Sequence, residues 1–249
     1  MENLPQKNND SFDVVESYEP SLGDHIRELR KRIIWCLVTL VVVFFGLASF
    51  VSEPLMKIIT KPITDRGIQL IYIGLAEALT AQLKVCFIAA FVISSPVFLW
   101  HIWDFVKPAL YDNEKKAVLI FTFGSVVLFL IGVTFGYIVV FLSAITFFVY
   151  VGENLATPML SISQYVGFLF GFVISFGMVF EMPVVSYVLC KMGVVTVDFL
   201  KSARKYVILG IFVVAAFLTP PDALSQVLMA LPMIVLYEIG IIVAKIGCK

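Results

Sequence analysis

Six long apolar runs separated by short polar gaps organise the 249-residue chain: Ile33 to Val51, Leu79 to Trp103, Ala117 to Tyr150, Ile162 to Cys190, Tyr206 to Leu218, and Leu224 to Ala244. The runs are continuously apolar, without the residue-by-residue alternation of a membrane β-barrel strand. Each therefore predicts a helix, the open-ended structure that satisfies its own backbone where no water is present. The runs are unequal. Ala117 to Tyr150 gives a helix of roughly 50 Å against a hydrocarbon core of roughly 30 Å, so it must tilt strongly or project from the bilayer. Tyr206 to Leu218 gives roughly 20 Å, and Pro232 interrupts the sixth run, which predicts that helices five and six are short.

Charge turns this pattern into a topology. Fourteen of the eighteen Lys and Arg residues fall in alternate gaps: Lys7, Arg27, Arg30, Lys31 and Arg32; Lys107, Lys115 and Lys116; Lys191, Lys201, Arg204 and Lys205; and Lys245 and Lys249. The opposite gaps hold Lys57, Lys61 and Arg66, and Lys84 lies inside the second run. Positive charge stays on the cytoplasmic side, so both termini are predicted to be cytoplasmic. With 60% hydrophobic and 14% charged residues, the chain has more apolar side chain than a soluble domain of this size can bury. The polar N-terminal tail is too long and acidic for a signal-peptide n-region, so the first run reads as a retained helix. The expected organisation is a flexible acidic tail over residues 1–20, a six-helix membrane domain over 21–244 and a short tail over 245–249.

Composition also narrows the chemistry. Cys36, Cys86, Cys190 and Cys248 are dispersed, which fits small core residues better than a disulfide framework or a zinc site. There is no nucleotide-binding loop and no nucleophile-base pair, and the two histidines, His25 and His101, offer little acid-base chemistry; no enzyme, cofactor or metal is expected. No basic patch beyond the topological bias points to nucleic acid. Pro96, Pro183 and Pro232 are expected to kink their helices, and Gly132/Gly136 and Gly167/Gly171 form two small-x-x-x-small patterns that permit close helix contact. Kinked, unequal helices favour a curved wall over a closed bundle.

Five acids stand where lipid or basic neighbours make them costly. Glu181, in Phe180-Glu181-Met182-Pro183, lies within the fourth run and needs a polar neighbour or a proton. It either bonds another helix or marks a hydrated spot on a concave face. Glu238 could snorkel or pair with a basic residue, and Glu77 lies a turn or two from Gln82 and from Lys84, read as an interfacial lysine. Glu28 is a lone acid in His25-Ile26-Arg27-Glu28-Leu29-Arg30-Lys31-Arg32, sensible there if it pairs with Arg32 one turn on. Glu114 repeats that setting in Tyr111-Asp112-Asn113-Glu114-Lys115-Lys116. Carboxylates such as Glu28 and Glu114 can receive guanidinium groups through planar, charge-assisted hydrogen bonds.

Several landmarks occur together and in order: His25-x-x-Glu28-Leu29-Arg30-x-Arg32, Ser95-Pro96-Val97, Trp103-x-Phe105-x-x-Pro108-Ala109-Leu110-Tyr111-x-x-Glu114, Phe180-Glu181-x-Pro183, Leu218-Thr219-Pro220-Pro221-Asp222-x-x-Ser225-Gln226, and Glu238-Ile239-Gly240. With them, the chain resembles the TatC family, the multispanning core of the twin-arginine protein translocase, from about Ser21 to about Ala244. The resemblance implies an all-α membrane protein of six transmembrane helices in a curved, glove-like wall. It implies a receptor and assembly platform in the bacterial inner membrane, exporting folded proteins at the expense of the proton-motive force.

The resemblance also assigns residues and partners. Glu28 and Glu114 would bind the twin-arginine signal peptide, with Arg30, Lys31, Phe105, Leu110 and Tyr111 shaping the site. Thr219 and Gln226 would receive single-span partners of the TatA and TatB type, and Glu181 and Asp222 match positions implicated in transport or assembly. A homo-oligomer is implied in the receptor complex. The chain departs from the family pattern at Arg27, where an aliphatic residue is common, and at Lys115-Lys116, where arginine is usual. A proton-coupled transporter of a small solute is the competing class, since Glu181 lies in a proline-broken helix, although no repeat relates the two halves.

Overall fold

The computed structural model describes residues 22–106, 115–153, 159–219 and 222–247. Among them the chain forms helices α1 (Leu22–Phe50), α2 (Ser52–Thr64), α3 (Glu77–Val106), α4 (Lys115–Phe135), α5 (Leu142–Glu153), α6 (Ile162–Phe180), α7 (Met182–Lys191), α8 (Val197–Leu218) and α9 (Ala223–Gly247). Two residues of β1 (Leu70–Ile71) pair in parallel with two of β2 (Leu160–Ser161). Five helical stretches are long and apolar enough to cross a membrane: Ile26–Phe50, Glu77–Val106, Leu119–Gly152, Ile162–Lys191 and Ala223–Gly247. The fifth apolar run sits in α8, whose 22 residues begin with a charged stretch holding Lys201, Arg204 and Lys205. The acidic tail over 1–20 lies outside the described residues.

The expectation that Pro232 shortens the sixth helix needs correction. Pro232 does not shorten the sixth run: α9 continues through it for 25 residues, and α3 likewise continues through Pro96. Neighbouring helices in a membrane protein can re-satisfy the group a proline leaves open. Pro183 does mark a boundary. It stands at the start of α7, where its missing N–H is harmless, and Glu181 forms the junction with α6. The longest run is divided by a feature without proline, a π-helical turn over Gly136–Phe141 between α4 and α5. That turn accommodates an extra residue and places Val140 and Phe141 in the core.

The core centres on α6. Its Phe168, Phe172, Phe176 and Phe180 recur every four residues and so share one face. The Phe168 and Phe172 rings meet edge to face at 4.5 Å, and Phe135 of α4 lies 5.7 Å from Phe176 and 5.5 Å from Phe180. Such ring pairs add about 0.5–1.5 kcal/mol each beyond area burial. The close approach requires glycine at Gly132: a Cβ there would lie 2.6 Å from the Phe176 carbonyl oxygen and 2.7 Å from Phe180 Cβ. A Cβ on Gly136 would lie 2.8 Å from Phe176 Cβ. The second glycine pattern behaves differently, since Gly167 faces open space and Gly171 makes ordinary contact with Leu218.

The remaining elements attach in pairs. Helix α1 lies mainly along α3, α7 lies along α9, and α8 lies along α9. The amphipathic α2, absent from the sequence reading, caps the end opposite the basic gaps; its Ile63 is fully buried, and the Tyr165 hydroxyl donates to the Ile59 carbonyl at 2.7 Å. Cys36 and Cys86 are free thiols, whereas Cys190, which the sequence spacing suggested as a small core residue, is disulfide-bonded. Replacing Gly132 with alanine forces a clash against backbone and is expected to cost about 1–3 kcal/mol, while Gly167→Ala should be nearly neutral. Thermal unfolding of the two variants in detergent checks this contrast.

Candidate functional site

Glu28 and Arg32 are one turn apart on α1 and meet as expected, the Arg32 Nε donating to Glu28 Oε1 at 3.1 Å and Nη2 donating to the same oxygen. The other end of the guanidinium reaches α3. Nη1 lies 2.6 Å from Asp104 Oδ2 and donates to the His101 carbonyl at 3.3 Å. Arg32 thus ties α1 to α3 and is largely covered, with its side chain 15% exposed, against 43% for Glu28 and 34% for Asp104. Asp104 falls on the unspecified position of Trp103-x-Phe105, so the motif does not single it out; its signal was an acid between two motif aromatics. Arg30 and Lys31 are exposed on α1 and take no part in this cluster, while Phe105 is half-buried beside it. Glu114, Leu110 and Tyr111 lie outside the described residues.

From this cluster an apolar groove of 620 Å³ runs between α1 and α3. Leu29, Arg32, Ile33 and Leu37 line one side, Phe98, Ile102 and Phe105 the other, and Phe129, Met178 and Glu181 also border it. Across α3 a second hollow of 260 Å³, lined by Trp103, Val106, Val185 and Met192 among others, also reaches Glu181. Glu181 is 9% exposed and neither carboxylate oxygen has a hydrogen-bond partner among the described residues. The Ser125 hydroxyl of α4 stands beside it; that oxygen accepts from Trp103 Nε1 at 2.9 Å and keeps its own proton to donate. Glu181 is thus a carboxylic group that borders two apolar hollows with one hydroxyl of a neighbouring helix next to it.

The other candidate residues hold the far end of the α8–α9 pair together. Thr219 is buried at the end of α8 and its hydroxyl donates to the Ala215 carbonyl, while the Gln226 amide donates across to the Phe212 carbonyl at 3.0 Å. Asp222 accepts from the Ser225 N–H at 2.7 Å and from its hydroxyl at 2.6 Å, the arrangement of an N-cap on α9. At the opposite end of the pair, Glu238 binds Arg204 at 2.7 Å, as the pairing alternative anticipated, and the Tyr237 hydroxyl donates to the Leu200 carbonyl. Glu77 is committed elsewhere than to Lys84. It accepts from the N–H groups of Ile73, Gly74 and Ser163 and from the Ser161 hydroxyl, tying the start of α3 to the β2–α6 junction. Gln82 reaches Ser52 of α2, and Lys84 is exposed.

The family model described as Sec-independent protein translocase protein (TatC) matches residues 24–232. The chain belongs to the TatC family. A TatC protein of Carboxydothermus hydrogenoformans is 37% identical over 232 residues, covering 93% of this chain and 95% of that protein. One from Aquifex aeolicus is 40% identical over 232 residues, covering 92% and 96%. The crystal structure of a twin arginine translocase receptor TatC superposes with a TM-score of 0.84 at 38% identity, covering 90% of this chain and all of that one. The TatC match spans Glu28, Asp104, Glu181, Thr219, Asp222 and Gln226, so the tie, the groove and the capped hairpin all belong to the shared domain.

If Asp222 acts as a cap, Asp222→Ala is expected to destabilise the protein by about 0.5–2 kcal/mol, and Asp222→Ser or Asp222→Asn should recover most of the loss. Unfolding midpoints and export of a reporter precursor, measured on the same three variants, check it. Lost export in a fully stable Asp222→Asn variant would instead place the carboxylate itself in transport.

Proposed function

We propose that this chain is the signal-peptide receptor and assembly platform of a twin-arginine translocase, spanning the bacterial inner membrane six times with both termini in the cytoplasm. The observation that carries the reading is the Glu28 carboxylate at the mouth of the α1–α3 groove. It already accepts a guanidinium, and an apolar trough leads away from it towards Glu181. A twin-arginine signal presents the complementary pattern, two guanidinium groups followed by an apolar segment. The arginines bind Glu28 and Glu114 at the cytoplasmic surface, with Arg30, Lys31, Phe105, Leu110 and Tyr111 around them. The apolar segment lies along the concave wall. Basic residues gathered at one end of the helices, Lys201, Arg204 and Lys205 on α8 and Lys245 on α9 among them, support the orientation.

The α8–α9 hairpin around Thr219 and Gln226 receives TatA-type and TatB-type helices. Both side chains spend donors on α8 carbonyls, so what a partner meets there is an edge built by these bonds. The receptor assembles as a homo-oligomer, and the proton-motive force drives export of folded precursors. The small-solute transporter is not adopted, because the relatives that match over nine-tenths of the chain are protein translocase components.

A twin-arginine signal peptide carrying a photo-crosslinker, with a twin-lysine control, tests the receptor reading in membranes. Selective crosslinking to the wild-type chain is expected, with a loss of about tenfold or more in affinity on Glu28→Gln or Glu114→Gln, the scale of a charge-assisted hydrogen bond. Equal labelling by both peptides would remove the receptor assignment.

A further inference from the structure

Glu28 is already occupied by the chemical group that the proposed signal peptide would bring. Arg32 places Nε and Nη2 on the same oxygen, Glu28 Oε1, while its remaining nitrogen, Nη1, is held by Asp104 Oδ2 at 2.6 Å and by the His101 carbonyl at 3.3 Å. The guanidinium therefore spans two acceptor sets on two different helices, and only one of them is Glu28. A rigid planar fork can surrender one edge and keep the other, which a lysine ammonium cannot do. The exposure pattern points the same way. Arg32 is covered, whereas the Glu28 carboxylate beside it stays exposed to an approaching cation.

We propose that Arg32 is a resident competitor for the guanidinium site on Glu28, and that an arginine of the signal peptide binds by displacing it onto Asp104 and the His101 carbonyl. This rests on the reading of Glu28 as a signal-peptide residue. In the exchange an incoming fork takes Glu28 through two N–H groups, and Arg32 keeps its Nη1 contacts on α3, so its charge is never stranded without a partner. A peptide ammonium, a point charge with no planar edge, replaces the Arg32 fork poorly. The resident arginine thereby sets a threshold that favours arginine over lysine. Asp104 is a positioning residue in this scheme, the retaining partner that makes release of Glu28 inexpensive.

The test measures the Kd of twin-arginine and twin-lysine signal peptides for the full chain in lipid nanodiscs, comparing wild type, Arg32→Lys, Arg32→Gln, Asp104→Asn, Glu28→Gln and the Arg32→Lys/Asp104→Asn double variant. Arg32→Lys keeps the charge and removes the fork, so it is expected to bind the twin-arginine peptide about threefold more tightly and the twin-lysine peptide tighter by at least the same factor, narrowing the preference for arginine. Arg32→Gln should gain about three- to tenfold for twin-arginine, the scale of freeing one partly exposed carboxylate. Asp104→Asn should weaken twin-arginine binding about threefold, and that effect should shrink in the Arg32→Lys background, since two residues acting through one contact are not additive. Thermal unfolding accompanies each variant; if Arg32→Gln does not fold, Arg32→Lys carries the comparison alone. Unchanged or weaker twin-arginine binding by a folded Arg32→Lys, with binding still lost in Glu28→Gln, overturns the competitor and leaves the receptor reading standing. Full selective binding by Glu28→Gln removes the receptor site at Glu28 and the competitor with it.

Discussion

A polar group in hydrocarbon has no water to bond, and the arrangement of this protein follows from how each such group finds a partner. The recurring solution is a side-chain donor that ends on the backbone carbonyl of another helix. Tyr165 reaches Ile59, Gln226 reaches Phe212, Tyr237 reaches Leu200 and Arg32 reaches His101. A carbonyl has two lone pairs, so it accepts such a bond without surrendering its place in its own helix. Each bond fixes one helix against the next at a single height. Four of them, with the Arg204–Glu238 pair, pin α1 to α3, α2 to α6 and both ends of α8 to α9.

Between these pins the packing is uneven, and that unevenness makes the groove. Around α6 the aromatic face and the glycine approach at Gly132 give a dense centre. Helix α1 has no such partner: it lies mainly along α3, and Ile33, Trp35, Leu37, Val42 and Phe45 are all exposed. Lipid supplies the missing contact for those side chains. A helix held by one neighbour and one polar tie leaves a trough beside it that close packing would have filled. The α1–α3 groove is thus a consequence of withholding a third helix from α1.

How much of this could be read from the chain divides along physical lines. The five runs that fold as helices of membrane-crossing length were legible, because a run of about twenty apolar residues has few alternatives to a membrane helix. The Glu28–Arg32 pair was legible from i,i+4 spacing, and pairing with a basic residue was one of the two alternatives open for Glu238. Three things were not. The π-helical turn at Gly136–Phe141 leaves no local signature, since it depends on which ring must face α6. The continuity of α9 through Pro232 depends on its neighbours. Asp104 became meaningful only when the antiparallel packing of α1 and α3 brought the end of one to the start of the other; no spacing rule relates residues 72 positions apart.

Glu181 breaks the pattern that organises the rest. Glu28, Asp104, Glu77, Asp222 and Glu238 are answered by Arg, by a backbone N–H or by a hydroxyl, whereas neither oxygen of Glu181 has a hydrogen-bond partner among the described residues. The cause is local: Pro183 divides the fourth run at that point, the carboxyl group stands at the α6–α7 junction, and the hydroxyl facing it on α4 accepts from Trp103. Because a hydroxyl donates as well as accepts, Ser125 can hold the Trp103 N–H and still turn its proton towards Glu181, so the α3–α4 contact and the acid share one side chain. The helix break leaves this carboxyl group beside an apolar groove with a single hydroxyl near it. That makes the groove wall chemically uneven along its length, with a charged tie at one end and a sparsely bonded acid along its course.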